Sequence, residues 1–462
     1  MAKRFIEFRG FAAGDPTASR RQASILLQQE ANFTDSKNAT TATTISVSGY
    51  TMAVSFWMAK PPDLSSFSVH CSRPPGSYSK IPDFKVTPHV VGEEGPFVLL
   101  CARFYICSRD EYFMYKADEG GAPSLECMAL ADDDDPHSLS MVRDFGIMQR
   151  SAPDDDNHGS LHYHLVALCD APPGYKLRMY SSETKTWSTK TLLNGCPGIK
   201  TFVPEKVLTL GAGRLGWVDF SCGLLVLDLG EDPPSVHLIP LPAPLPENKG
   251  RLKNTSQSGV SARWFCDLTF VNGMLQFIEI EHRFQGTELQ ADPSDSQFLD
   301  DSDLMRTLDD KPRDSWRAVT WNRTICSKRW SKGCIFYAAD ILIGDSILPS
   351  SLCETWAESI NSRYTAFPTL SLDDENIVYL KSMVEPSDPN GWLVTIDLKY
   401  MTMAELGVYS FEHPDPSMHT FRPCTLSNHQ NMSPGNGSPA IIHSACASVP
   451  NRPYVLLETL EH

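Results

Sequence analysis

The chain has no two cysteines at metal-ligand spacing. Its thirteen cysteines are odd in number, scattered, and free of any CxxC pair. That excludes a disulfide framework and a structural zinc site. They read as reduced, small apolar residues of a cytoplasmic or nuclear protein. Runs of Lys and Arg are also missing. With 40 basic against 56 acidic residues the net charge is −16, which opposes binding to nucleic acid and to anionic membranes. No apolar stretch approaches the length of a membrane-spanning helix. The N-terminal MAKRFIEFRGFAAGDP has basic residues but no secretory apolar core. The sequons at Asn32, Asn38, Asn254, Asn322, Asn431 and Asn436 are therefore expected to stay unglycosylated. GxSxG, HExxH and the EF-hand pattern are all absent.

What is present is a series of short apolar runs split by turn residues. The clearest lies in Gly211 to Pro246. Leu215 to Phe220, Leu224 to Leu229 and Val236 to Ile239 are separated by Ser221-Cys222-Gly223 and by Gly230 to Pro234, which predicts an antiparallel meander. Trp217 is its expected core anchor. Ile45 to Met58 predicts two strands turning near Gly49, and Phe67 to Val69 a short strand. Strands are expected at Phe97 to Tyr105, Tyr112 to Lys116, Leu161 to Cys169, Tyr175 to Tyr180 and Trp187 to Leu192. Trp264 to Val271 and Met274 to Ile280 flank Asn272-Gly273, a strong hairpin signal. Further strands are expected at Arg317 to Ile325, Cys334 to Ala338, Ala366 to Leu370, Ile377 to Met383, Trp392 to Asp397 and Met403 to Phe411. Ser350 to Ile360 is the best helix candidate.

An apolar strand ending in a turn recurs at Met114 to Asp118, Met179 to Ser182, Leu227 to Gly230 and Thr395 to Leu398. Kelch-type blades repeat at about 50 residues. The fold expected is mainly β: a β-propeller-like stack of antiparallel blades with few short helices. The domain reading has three parts. Residues 1–44 are an N-terminal edge strand (Lys3 to Arg9) and a polar loop, with Ser19 to Thr44 on the surface. Residues 45–411 are the propeller-like domain. Residues 412–462 are a Pro/Ser-rich tail with a short closing strand at Tyr454 to Leu457.

Few motifs point to chemistry. Gly211-Ala212-Gly213-Arg214-Leu215-Gly216 matches GxGxxG, but a strand follows where a dinucleotide site needs a helix, so a turn is expected. Asp144-Phe145-Gly146 precedes that loop, the wrong order for a kinase, and no HRD loop is present. His162 and His164 would share one face of a strand, as two metal ligands might, but His158 reads as solvated loop and no third ligand stands at metal-site spacing. The acidic runs Asp132 to Asp135, Asp154 to Asp156 and Asp300 to Asp303 read as solvated loops. Asp219 is expected to hydrogen-bond the turn at Ser221 to Gly223. Pro240 to Pro246 reads as a stiff connection along a sheet edge. No catalytic residue, cofactor ligand or metal ligand is assigned.

Several blocks, taken in order, resemble a family. These are Phe113 to Asp118, Leu215 to Phe220 with Gly223-Leu224-Leu225 and the Pro-Leu-Pro exit, Arg263 to Ile280, Trp316 to Trp330, and Ser371 to Leu380. Together they are similar to the plant domain-of-unknown-function family 1618, expanded in grasses. The resemblance implies a layout like F-box-associated propellers and carries over no functional residue. Residues 1–60 show no F-box. The function expected is a non-enzymatic, intracellular protein-interaction module that binds a protein partner. The acidic stretch at 284–311 is its candidate contact loop. A ubiquitin-ligase substrate receptor and a hydrolase with a site in the propeller channel are the alternatives.

Overall fold

The computed structural model describes residues 24–73, 83–105, 107, 109–117, 122–128, 139, 142–150, 162–171, 174–192, 202–230, 234–250, 252, 261–284, 313–343, 363–411 and 420–429. They form six mainly antiparallel sheets arranged as the blades of a propeller. Blade 4 shows the plan. Lys206–Gly211, Arg214–Asp219, Gly223–Asp228 and Ser235–Pro240 pair in chain order, from inner strand to outer. Blade 2 begins with inner strand Phe84–Glu94, blade 3 with Gly146–Arg150, blade 5 with Cys266–Val271 and blade 6 with Tyr364–Leu370.

A blade buries both faces, so its middle strands read as unbroken apolar runs instead of alternating ones. In blade 4, Leu215, Trp217, Leu225 and Leu227 pack on Val166, Leu168 and Leu177 of blade 3. Val218, Leu224 and Val226 pack the other way, on Leu268, Leu275 and Phe277 of blade 5. Trp217 has no exposed surface, as its expected anchor role requires. Gly216 leaves the room that Leu224 fills; a Cβ there would stand 2.7 Å from Leu224 Cδ1. Similar apolar layers lie between each further pair of neighbouring blades, including blade 6 with blade 1.

Blade 1 departs from the plan. Its inner strand is Phe421–Cys424, paired antiparallel with Ile25–Gln28. Ile25–Gln28 runs parallel to Leu64–Ser72, which is followed outward by Thr51–Trp57 and Ala42–Ile45. This corrects the surface loop expected over Ser19 to Thr44, because all four residues of Ile25–Gln28 are buried. The strand is too short for a period to show, and its burial comes from partners nearly 400 residues away. The propeller thus takes in residues on both sides of 45–411.

The recurring turns mark the same place in four blades. Tyr115, Tyr180, Leu227 and Thr395 all lie on the third strand of their sheets. The expected hairpin forms with Asn272 and Gly273 at φ of 51° and 78°, the signs a two-residue turn of this hand needs. Inner strands all run the same way around the ring. Links from second to third strand, and from outer strand to the next blade, therefore share one end. The remaining hairpin links share the other. The edge strand at 3–9, the helix at 350–360 and the closing strand at 454–457 lie outside the described residues.

Candidate functional site

The six inner strands bring charge together. Asp144 stands just ahead of the inner strand of blade 3. It accepts hydrogen bonds from Arg422 Nη1 of blade 1 at 3.0 Å and from the backbone N–H of Val207 in blade 4 at 2.9 Å. Asp267 repeats the device. It accepts from Lys206 Nζ of blade 4 at 2.7 Å and from the N–H of Leu370 in blade 6 at 2.9 Å. Arg263 reaches into blade 1, where it donates to Gln29 Oε1 and to the Phe421 carbonyl, both at 3.0 Å. Glu205 accepts from Ser261 Oγ at 2.6 Å and from the Ala262 N–H at 3.1 Å.

Burial sets the protonation here. It pushes the Glu93 carboxyl up to about 7, with Glu94 adding to the rise. It lowers Lys206 and Arg263, which their acidic neighbours partly offset. It raises the Cys424 thiol well above its ordinary range, with Glu93 alongside. The carboxylates and cations on these strands engage one another and the backbone of the next blade. The arrangement clamps blades together.

Sequence motifs fall elsewhere, or into structural roles. The GxGxxG stretch is the turn between two strands of blade 4, with Gly211, Ala212 and Gly213 all at positive φ. Asp144 of the DFG triplet serves the clamp just described. Asp219 accepts from Ser221 N and Oγ at 2.9 and 2.6 Å and from Val203 N at 2.8 Å, the turn role expected of it. His162 and His164 sit half-buried on one face of a blade 3 strand. Among the described residues no three His, Cys, Asp or Glu side chains are placed to hold a metal ion. Pro240 to Pro246 crosses from blade 4 to blade 5, where Trp330 Nε1 donates to the Pro240 carbonyl and Glu279 accepts from the Leu245 N–H. His158, the three acidic runs and, beyond Phe284, the acidic insertion at 284–311 lie outside the described residues.

The sequence reading missed Glu93, Lys206, Arg263, Asp267 and Arg422. One signal was available. A charge stands directly before a short apolar run in Lys206-Val-Leu, Asp267-Leu-Thr and Asp144-Phe-Gly.

A second feature is apolar. Phe33, Ile45, Val47 and Tyr105 are 56, 68, 76 and 49% exposed. All four lie at the propeller end that carries the links from second to third strand, on blades 1 and 2. Glu111 ties these blades together there. It accepts from Val47 N at 2.7 Å and Ser48 N at 3.1 Å, and from the Ser48 hydroxyl. Phe33 stacks on Phe84 with centroids 5.7 Å apart.

Comparison with known proteins gives a family-model match over part of the chain and no activity. No curated protein matches the chain. Among solved structures, it is similar to the extracellular domain of a hybrid two-component system protein from B. thetaiotaomicron. That likeness is 11% identical, covers 82% of this chain and 36% of the other, and has a TM-score of 0.32. A prolyl endopeptidase is 8% identical over 70% of this chain and 43% of its own, with a TM-score of 0.27. A quinohemoprotein alcohol dehydrogenase from Pseudomonas putida is 8% identical over 83 and 67%, with a TM-score of 0.30. The chain thus spans less than half of the first two. Scores this low leave fold and function to be argued from the chain itself. Residues 217–379, from Trp217 of blade 4 to Tyr379 of blade 6, match the family model described as a protein of unknown function, DUF1618.

Proposed function

We propose that this chain is a non-enzymatic protein-binding module whose propeller presents an apolar patch on blades 1 and 2. The observation that carries this reading is the exposure of Phe33, Ile45, Val47 and Tyr105 together at one end. Single exposed apolar residues are ordinary, whereas a grouped set marks a contact surface. The turn that bears Val47 is fixed by Glu111 before any partner arrives, which lowers the ordering cost of binding. With a net charge of −16, the chain favours a partner whose own apolar patch has a basic rim. The mutual engagement of the channel charges supports a scaffold role for the inner strands.

The test compares affinity capture by the tagged chain and by a variant carrying Ile45→Asp and Val47→Asp. Any captured protein is then purified and titrated against both. A partner bound directly by the native chain, weakened by salt and lost in a variant with unchanged melting, supports the reading. Equal binding to both forms removes the patch from it. Failure to capture any direct partner overturns it.

A further inference from the structure

At the opposite end of the propeller, a cleft of about 150 Å³ opens between blades 5 and 6. Every strand of blade 5 contributes to one side: Val271, Met274 and Gln276, Asn322, and Cys334. Asn376 and Leu398, from hairpin links of blade 6, close the other side. Gly333 and Thr320 also line it and pack closely, since a Cβ on Gly333 would stand 2.5 Å from Thr320 Oγ1.

The polar groups on this cleft are amides with capacity to spare. Gln276 is only 5% exposed. Its Nε2 donates to the Glu375 carbonyl at 2.6 Å, and its Oε1 takes no hydrogen bond from the described residues. That oxygen is not sealed from solvent, so water pairs with it until a ligand donor takes its place. Asn322 makes no side-chain hydrogen bond to the described residues. Asn376 commits Nδ2 to Asp374 at 3.0 Å and leaves its oxygen. Amide oxygens and amide N–H groups thus face one space, beside the apolar surfaces of Val271, Met274 and Leu398.

We propose that this cleft binds a neutral, hydroxyl-rich ligand the size of one sugar ring. A hydroxyl both donates and accepts, so it can satisfy an amide oxygen and an amide N–H side by side. The C–H face of a ring suits the apolar wall. No cation lines the cleft and Glu375 stands at its rim, which disfavours phosphates and carboxylates. Drug-sized ligands fill about 300–1,000 Å³, so this site takes a single ring. The inference is independent of the protein-binding patch, which lies at the other end.

Cys334 lines the cleft and is exposed; Cys326 is exposed and outside it. Alkylation of the full chain by N-ethylmaleimide, read by mass spectrometry at each cysteine, therefore reports occupancy with a built-in control. The probes are glucose, galactose, N-acetylglucosamine and mannitol at about 100 mM, a concentration that reveals millimolar affinity. At least one is expected to slow alkylation of Cys334 about threefold or more while Cys326 is unchanged. Asn322→Asp, close in shape but without the donor, is expected to abolish the protection with the same melting temperature. If it fails to fold, Asn376→Asp serves instead. No protection by any probe, equal slowing at both cysteines, or protection unchanged in the folded variants would overturn the proposal.

Discussion

Blade 4 and blade 1 solve the same packing problem from opposite starting points. Blade 4 is one continuous stretch, Lys206 to Pro240, with each strand a short turn from the next. Blade 1 is assembled from two distant pieces, and its innermost pair joins Gln28 to Phe421. Closing a loop that long costs about 3 kcal/mol more than closing a ten-residue hairpin, at about 0.6 kcal/mol per doubling. The extra contacts on this pair offset that cost. Phe421, Cys424 and Leu426 are buried. Arg422 bonds Asp144, and the Phe421 carbonyl accepts from Arg263. A contiguous blade adds sequence proximity to its apolar layers and to its clamps at Lys206 and Val207. A split blade lacks that proximity and relies more on charge reaching in from other blades.

Removal of the closing strand has the largest expected effect. A chain ending at Phe411 loses Phe421–Cys424, while one ending at His429 keeps it. The first is expected to lose its cooperative thermal transition, because whole-protein stability is only about 5–15 kcal/mol. The second is expected to melt close to the full chain. Circular dichroism melts of the two decide this; equal transitions would show that blade 1 closes without its inner strand.

Next come single changes that set charge against apolar packing. Asp144→Ala leaves Arg422 buried without its carboxylate and is expected to cost about 3–5 kcal/mol. Pairing it with Arg422→Met should recover most of the loss. Trp217→Ala in blade 4 is expected to cost a similar 3–5 kcal/mol or so through cavity formation. No second change of charge should rescue that variant. Denaturant unfolding of the three variants separates the two mechanisms, and failure of the Arg422→Met rescue would mean that Asp144 acts mainly through Val207.

The same contrast explains what could be read from the residues. Gly211 to Pro246 was legible because middle strands buried on both faces are plain apolar runs, and tight turns punctuate them. The Asn272-Gly273 hairpin was legible for its φ signs. Two inner strands, Cys266–Val271 and Tyr364–Leu370, were legible, but others were not. Phe84–Glu94, Gly146–Arg150 and Phe421–Cys424 mix charge, glycine and proline with apolar residues, so neither period stands out. The clamp was hidden for the same reason. Asp144 and Arg422 are 278 positions apart, and only the closed ring makes them neighbours. The cleft of blade 5 was invisible too, since Gln276, Asn322 and Asn376 look like ordinary surface amides until two blades face each other.

Lys381 sharpens the comparison at the seam between blade 6 and blade 1. It is 1% exposed, and its Nζ lies 5.0, 4.8 and 4.9 Å from the ring centroids of Phe367, Tyr409 and Phe411. Burial pushes its ammonium down to about 7, with Asp388 acting the other way. The ordinary value is 10.5. Between these values the unfolded chain holds more protons than the folded one, so stability rises with pH from about 7 to 10.5 and is flat below. Lys381→Met removes that rise and is expected to add about 1–2 kcal/mol near neutral pH. Urea midpoints across pH 6 to 10 test it, read within about 0.5 kcal/mol. A rise that persists in the variant would assign it to another group.

The smallest effect belongs to a turn inside a contiguous blade. Gly273→Ala forces a Cβ onto a residue at φ 78°, beside Asn272 at 51°. The position has open space around it, with nothing within 4 Å of the added carbon. The cost is therefore conformational alone, about 1 kcal/mol. Blade 5 has Val271 and Met274 paired directly across the turn and ten further residues bonded along the same two strands, so the register should hold. Thermal unfolding should shift by a few degrees at most, at about 2–4 °C per kcal/mol for a chain of this size. A loss as large as that of Asp144→Ala would mean that local turns, and not the charge reaching across the ring, set how firmly this propeller is closed.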